Sequence, residues 1–352
     1  MNFIQSDGYP IFFENSIEEL AAFVKAGNYS RVFILTDENT AQHCLPPVEK
    51  YFEDKDSYDL IEVPYGEENK SIDTCIGIWK LLIDFGADRK ALMINLGGGV
   101  ITDMGGFAAS TFKRGIDFVQ VPTTLLSQVD ASVGGKTGID LDGVKNIIGT
   151  FTQPKAVFIS DEFLKTLPPR QVLSGTAEML KHGLIMDKAY WEALKTSDLS
   201  KPQGDLIYRS IEIKNEVVKI DPFEKGLRKA LNFGHTIGHA VETHSLLNDK
   251  EPLTHGEAIA LGMICEGYLS YKKAGLSKAE LDEIAAVLTN LYPKYSLAAA
   301  NFTELGYLML KDKKNEFGRI NCTLLSAIGK CSLDNICTEE ELFEALEYYA
   351  AL

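Results

Sequence analysis

The chain has no uninterrupted apolar stretch approaching the ~20 residues that a bilayer-spanning helix needs. Its 24% charged and 45% hydrophobic residues are those of a globular protein. No CxxC pair occurs among its six cysteines, Cys44, Cys75, Cys265, Cys322, Cys331 and Cys337, which argues against both a zinc ribbon and a disulfide framework. Positive charge is scarce: 35 Lys and Arg stand against 50 Asp and Glu, a net charge of -15. A field of that sign attracts neither nucleic acid nor an anionic membrane as a general partner, although basic side chains can still gather in one pocket and hold an anionic metabolite. The opening segment MNFIQSDGYPIFFENS lacks a basic leader followed by an apolar core, so export is not expected and the natural home is a reducing cytoplasm. There is no internal repeat and no low-complexity linker.

At 352 residues the chain is long for one core and comfortable for two domains. Its first part alternates strand-like runs with helical periodicity. RVFILT, DLIEVPY, ALMINL, DFVQVP and AVFIS are short and β-rich, while SIDTCIGIWKLLIDFG repeats at helical spacing and stops at Gly86. Such alternation predicts an α/β domain of Rossmann-like type over residues 1–160, with a parallel sheet covered on both faces. From residue 161 to 352 long amphipathic segments dominate, among them QVLSGTAEMLKHGLIM, ALNFGHTIGHAVETH and HGEAIALGMICEGYLSYKKAG. One late strand-like pair lies in RINCTLLSAIGKCSL. This predicts a mainly α-helical C-terminal domain, and the junction of two such domains is the default place for a site.

Two features carry chemistry. NFGHTIGHA with His235 and His239, LTHGEAIALGM with His255, and GTAEMLKHG with Glu178 place nitrogen and carboxylate donors on separate helical stretches. Three protein ligands of the His/His/Glu kind leave one coordination position open, as a catalytic metal requires, whereas a structural metal usually takes all four from the protein. Taken singly, each of these residues could equally be a core or capping polar group. Upstream, ALMINLGGGVITDMGGF reads as a buried strand, a glycine turn and a helix, a geometry that admits a pyrophosphate to the helix N-terminus. Thr102 stands where GxGxxG would have its third glycine, so an ordinary tight strand–helix turn is the competing reading.

Seven segments in order, GGGVITDMGGFAASTFKRG, VPTTLLSQVDASVGGKTGID, KNIIGTFTQP, LKTLP, GTAEMLKHG, GLRKALNFGHTIGHA and THGEAIALGM, resemble the 3-dehydroquinate synthases, a family of the sugar-phosphate cyclase superfamily. The resemblance implies an N-terminal Rossmann-like NAD domain, a mainly helical C-terminal domain, a zinc ion for which cobalt can substitute, and a homodimer. It assigns the metal to Glu178, His235 and His255 and makes His239 a pocket residue. It leaves His43, His182 and His244 as structural or solvent-facing. NAD contacts fall on Asp37, Asn39, Glu67, Lys70, Gly98, Gly99, Val100, Asp103, Thr123, Thr124, Lys145 and the run Phe163, Leu164, Lys165, Thr166. Ser174 occupies a contact position that is often Asn in the family.

The substrate implied is a seven-carbon sugar acid phosphate, met by Asp130, Lys136, Asn146, Lys181, Lys214, Arg228, Asn232 and His239, with Lys313 or Lys314 on the phosphate and Arg114 entering the neighbouring subunit's pocket. An arginine can form paired hydrogen bonds to a carboxylate or phosphate, whereas a lysine offers a point charge. Proton handling is implied for Glu224 and His239, and Lys136 joins them as a catalytic candidate. The implied activity is that of a phosphorus–oxygen lyase of the shikimate pathway, with NAD regenerated in every turnover. Two other readings use similar equipment: a sister cyclase making a valiolone or inosose, and a metal-dependent polyol dehydrogenase that would release NADH.

Overall fold

Apolar runs bounded by polar turns become the strands of one sheet. The computed structural model describes residues 3–52, 57–142, 144–201, 204–298, 301–310 and 319–352, and the chain divides into two compact units, Met1–Pro168 and Pro169–Leu352. The first unit runs β1 (Phe3–Gln5), β2 (Pro10–Phe12), α1 (Ser16–Ala26), β3 (Val32–Asp37), α2 (Glu38–His43), α3 (Leu45–Glu49), β4 (Asp59–Val63), α4 (Ile72–Asp84), β5 (Leu92–Gly97), α5 (Gly99–Thr111), β6 (Asp117–Pro122), β7 (Lys136–Leu141), β8 (Val144–Phe151) and β9 (Val157–Phe158).

Seven of these strands form a sheet in the order β1-β2-β9-β6-β5-β3-β4. All neighbours are parallel except β1 and β2, which pair antiparallel at the edge. Every residue of β3 and β5 is buried, as expected of strands covered on both faces. Alternation sorts their side chains: Phe33, Leu35 and Met93 pack on one face with Ile78 and Met104. Ile34, Leu92 and Ile94 pack on the other with Leu20 and Val48. At about 1.5–3 kcal/mol per buried large apolar side chain, these two layers are the main stabilisers of the unit.

The parallel sheet read from the sequence is present with one antiparallel edge strand added. The antiparallel hairpin β7–β8 was not legible. GGKTGID is mostly buried but glycine-rich and polar, and KNIIGTF is half exposed, so they show neither the continuous apolar run of a central strand nor a clean alternation.

The second unit runs α6 (Pro169–Met186), α7 (Lys188–Thr196), α8 (Gly204–Ile220), α9 (His235–Asn248), α10 (His255–Lys273), α11 (Lys278–Leu291), α12 (Phe302–Leu310), β10 (Ile320–Ala327), β11 (Lys330–Cys337) and α13 (Glu339–Ala351). Its late strand-like pair is the antiparallel hairpin β10–β11. The segment read as an amphipathic helix from His255 departs from that pattern, because in α10 every residue from Gly256 to Gly267 is buried. A helix covered all round is a central one, and α6, α9, α11, α13 and β10 all pack against it. Among the described residues no helix is long and apolar enough to cross a membrane.

Candidate functional site

In the second unit the donor atoms converge from three helices. Glu178, on the third turn of α6, is fully buried. Its Oε1 lies 3.5 Å from Nε2 of His235, the first residue of α9, and 3.5 Å from Nε2 of His255, the first residue of α10. Donors at 2.0–2.1 Å around a tetrahedral ion would be separated by about 3.3 Å, so the spacing suits one shared divalent cation. The tautomers agree as well. Nδ1 of His235 is 3.0 Å from the Phe233 carbonyl and Nδ1 of His255 is 3.2 Å from Glu242; a proton held on each Nδ1 leaves both Nε2 lone pairs for a metal. His239, one turn along α9, also brings a ring nitrogen within 4.8 Å of the other two histidines.

Lys181 pairs with the second oxygen of Glu178, and both side chains are buried. Burial works to lower the pKa of His255, but the charges of Glu242 and Glu178 outweigh it and hold the imidazole up at about 9.

The helix starts are prepared for this role. Thr254 caps α10 in a capping box with Glu257, Arg170 grips Glu257 through Nε and Nη2 at 2.8 and 2.7 Å, and the buried Ser174 hydroxyl accepts from the Gly256 N–H at 3.0 Å. α9 starts after Gly234, whose φ of 79° suits glycine and which offers no side-chain cap. The carboxylate of Glu266, reaching over from α10, accepts instead from the N–H groups of Gly234, Thr236 and Ile237 at 2.7, 2.9 and 3.1 Å.

Beside the metal candidates lies a polar loop. Asp221 accepts from the N–H groups of Lys225, Gly226 and Arg228. Burial opposes its charge, but these donors and the Arg228 guanidinium hold its pKa below the usual carboxylate value. Within the loop Glu224 adopts φ 58° and accepts from the Asn232 amide at 2.9 Å. Arg228 is buried and donates to the Pro222 carbonyl at 2.6 Å. Lys214, on α8, is also buried. The β10–β11 hairpin braces the loop through Thr323 to the Lys229 carbonyl and Lys229 to Asp334, both at 2.7 Å.

In the first unit, β5 ends at Gly97 and Gly98 is the N-cap of α5, with Gly99 and Val100 in its first turn. The Thr123 N–H donates to the Gly97 carbonyl at 3.0 Å, so the turn after β6 stands beside the turn after β5, and Thr124 there bonds Ser127. Asp37, at the end of β3, caps α2 in a box with Thr40, while Asn39 is exposed. Lys70, buried, donates to Asp103 at 2.7 Å and to Asn146 at 2.6 Å. Burial disfavours its charge, but Asp103, Glu67 and Asp140 overcome this and raise its pKa.

Lys145 pairs with Glu67 at 3.3 Å, and Asn146 holds φ 51°. Lys136 opens β7, and Asp130 lies in the turn Ser127–Ala131. The run Phe163, Leu164, Lys165 and Thr166 forms a short turn in which Phe163 is buried and Lys165 exposed. Arg114 is exposed, in a left-handed stretch shared with Lys113 and Gly115. Lys313 and Lys314 lie outside the described residues.

Sequence reasoning missed Glu242, Glu266 and the use of the Ser174 hydroxyl. Glu242 stands seven residues after His235 on α9, and Glu266 eleven after His255 on α10; both spacings return to the same helix face, a signal that was available. Of His182, read as structural or solvent-facing, the structure excludes the second: it is fully buried with Nδ1 2.8 Å from the Ser210 hydroxyl. His244 meets Glu304 and Asn301, and His43 is exposed.

Comparison with known proteins agrees with the fold. The model of the 3-dehydroquinate synthase N-terminal family matches residues 60–174, and that of the 3-dehydroquinate synthase C-terminal family matches residues 175–315. The 3-dehydroquinate synthase of Parabacteroides distasonis is 42% identical over 335 residues, covering 94% of each chain. A 2-epi-5-epi-valiolone synthase from Streptomyces hygroscopicus, solved with NAD+ and Zn2+ bound, superposes with a TM-score of 0.85 at 25% identity, over 100% of this chain and 99% of that one. A 2-deoxy-scyllo-inosose synthase complexed with carbaglucose-6-phosphate, NAD+ and Co2+ gives 0.86 at 24% identity, over 99% and 100%. The ordered motifs, the three converging donors and these matches place the chain in the 3-dehydroquinate synthase family of sugar-phosphate cyclases.

Proposed function

We propose that this enzyme is a 3-dehydroquinate synthase, a phosphorus–oxygen lyase that converts 3-deoxy-D-arabino-heptulosonate 7-phosphate to 3-dehydroquinate and phosphate in the shikimate pathway. The net path is transient oxidation, β-elimination of phosphate, reduction and intramolecular aldol closure. The observation that carries this reading is the convergence of Glu178, His235 and His255 in a chain 42% identical to a protein of that name. Three solved structures of cyclases of other product type stand at 23–25% identity.

Glu178, His235 and His255 would hold a divalent metal, Zn2+ with Co2+ as a competent substitute. NAD would lie against Gly98, Gly99, Val100, Thr123 and Thr124, where the N-terminus of α5 favours phosphate. Asp37, Asn39, Glu67, Lys70, Asp103, Lys145 and residues 163–166 would complete its contacts. When bound, the metal supplies acidity to a substrate hydroxyl and NAD supplies a hydride acceptor that is regenerated.

The chain's own residues would do the rest. Arg228, Lys181 and Lys214 are buried cations that can neutralise a substrate bearing a carboxylate and a phosphate, with Lys136, Asn146 and Asp130 also meeting the sugar acid and Lys313 or Lys314 the phosphate. Asn232 holds Glu224, so that this carboxylate and His239 can take and return protons at substrate hydroxyls. Lys70 bonds both Asp103 and Asn146 and so would join the nucleotide contacts to the sugar contacts.

Arg114 would serve the pocket of a second copy in a homodimer. Its exposure, with the exposed apolar Ile147 and Phe151 on β8, supports such an assembly. Cytoplasmic location fits an enzyme acting on a soluble metabolite.

The test is to incubate the enzyme with NAD, Zn2+ and the heptulosonate phosphate. Inorganic phosphate and a product with the mass of 3-dehydroquinate should accumulate together while the NADH absorbance stays flat. Stoichiometric NADH would instead identify a polyol dehydrogenase, and turnover only with a different sugar phosphate would identify a sister cyclase.

A further inference from the structure

The two helices that carry the candidate histidine ligands each also carry a buried carboxylate that reaches the other helix, one at its histidine ring and one at the backbone around its histidine. Glu242 lies on α9, is 6% exposed, and places Oε2 3.2 Å from Nδ1 of His255 on α10. Glu266 lies on α10, is 0% exposed, and uses both oxygens to accept the N–H groups of Gly234, Thr236 and Ile237 around His235, the first residue of α9. The first acts on a side chain. The other acts on a backbone that has no cap of its own, since Gly234 supplies none.

We propose that Glu242 and Glu266 form a reciprocal positioning clamp, in which each helix supplies one histidine for the metal and the carboxylate that fixes the other helix's histidine. Glu242 keeps the proton of His255 on Nδ1 and sets the ring's rotation. Glu266 replaces the missing N-cap of α9 and satisfies donors that a buried helix start would otherwise leave unpaired, which fixes where the His235 side chain begins. In this reading both carboxylates act through the histidines and not as ligands themselves. A carboxylate at a helix N-terminus is also favoured by the helix dipole.

The chemistry of the two contacts differs, and so does the substitution pattern it predicts. At Glu242 one oxygen meets one N–H donor, and a glutamine retains a carbonyl oxygen for it. Glu242→Gln should therefore hold metal nearly as well as the parent, while Glu242→Leu should weaken it about 10–100-fold. At Glu266 both oxygens accept from N–H donors. A glutamine must turn its NH2 toward one of those groups, so Glu266→Gln should fail almost as badly as Glu266→Leu, each by about 10-fold or more.

The clamp rests on the metal reading given above, and the experiment separates the two. Dissociation constants for Zn2+ are measured by competition with a chromophoric chelator, and the Co2+-loaded proteins are compared by their visible ligand-field spectra, in the parent, His255→Ala and the four clamp variants. Parent protein that binds no metal, or binds it equally well after His255→Ala, overturns the metal reading and the clamp together. A parent that binds and a His255→Ala that does not, combined with the predicted asymmetry and shifted Co2+ spectra in the weakened variants, supports the clamp. Unchanged dissociation constants and spectra, with only the melting temperature lowered, would show that the two carboxylates merely stabilise the fold. Should the Glu266 variants not fold, the Glu242 pair carries the test alone, because it leaves both helix starts intact; equal affinities for Gln and Leu there would overturn the proposal.

Discussion

Replacing Gly262 by alanine would drive a methyl group into the backbone of the neighbouring helix. A Cβ at this position would lie 1.9 Å from the Gly234 carbonyl oxygen and 2.8 Å from the Gly238 nitrogen. That is about 1.5 Å inside ordinary contact, and because the obstructing atoms are main chain no rotamer can relieve it. α9 must then move away from α10. Overpacking of this kind costs about 1–3 kcal/mol, and a clash with backbone belongs at the upper end. Alanine's better helix propensity returns about 1 kcal/mol, leaving a net loss of about 2 kcal/mol.

The displaced helix carries His235, and metal sites tolerate only ~0.2 Å of error in ligand distance, so Zn2+ affinity should fall by an order of magnitude or more. Gly267→Ala is the control on the same helix: its Cβ would meet Leu281 Cδ1 at 3.4 Å, an ordinary contact. It should leave metal binding unchanged and raise stability by up to about 1 kcal/mol. Urea denaturation and chelator competition on both variants decide the matter. A Gly262→Ala protein with parental stability and metal affinity would refute the close helix contact as the determinant of the site.

If Arg114 serves a partner's pocket, Arg114→Ala should lower kcat/KM by about 10-fold to 150-fold, corresponding to about 1.5–3 kcal/mol, with NAD binding retained. Mixing Arg114→Ala with His255→Ala subunits should then restore about one working site per heterodimer, and heterodimers without activity would place Arg114 in its own chain's site. Asp221 has a folded-state pKa below its ordinary value of 3.8, so its contribution is fully present above that value and is lost as pH falls through the folded one. Asp221→Asn should therefore flatten the acid limb of the stability profile, measured by denaturation from pH 5 downward, and at neutral pH should raise KM while metal content stays parental. An unchanged acid limb and KM would show that the loop around Glu224 does not depend on this carboxylate.

The strands β3, β4, β5 and β6, the turn at Gly98 and the late hairpin were legible because each is written in neighbouring residues: an apolar run, its bounding turn, its alternation. The metal candidates were legible for a different reason, since histidine-bearing strings in a fixed order resemble a family even when their approach in space cannot be read. β7–β8 was not legible, because a glycine-rich, polar strand and a half-exposed one pair through backbone hydrogen bonds that leave little pattern in side-chain polarity. The burial of α10 on every side was also hidden. Whether Glu266 or Ser270 on such a helix faces water or protein is decided by α6, α9, α11 and α13 closing around it.

What the sequence determined by itself is the list of candidate donors and the elements that carry them. What only tertiary structure decided is their mutual geometry: Glu178 Oε1 at 3.5 Å from two imidazoles, and two helices close enough that Gly262 must lack a side chain. A carboxylate thus caps a helix far from it in the chain. These are distances between segments remote in sequence, and they exist only once the packing of the core has set how closely the helices can approach.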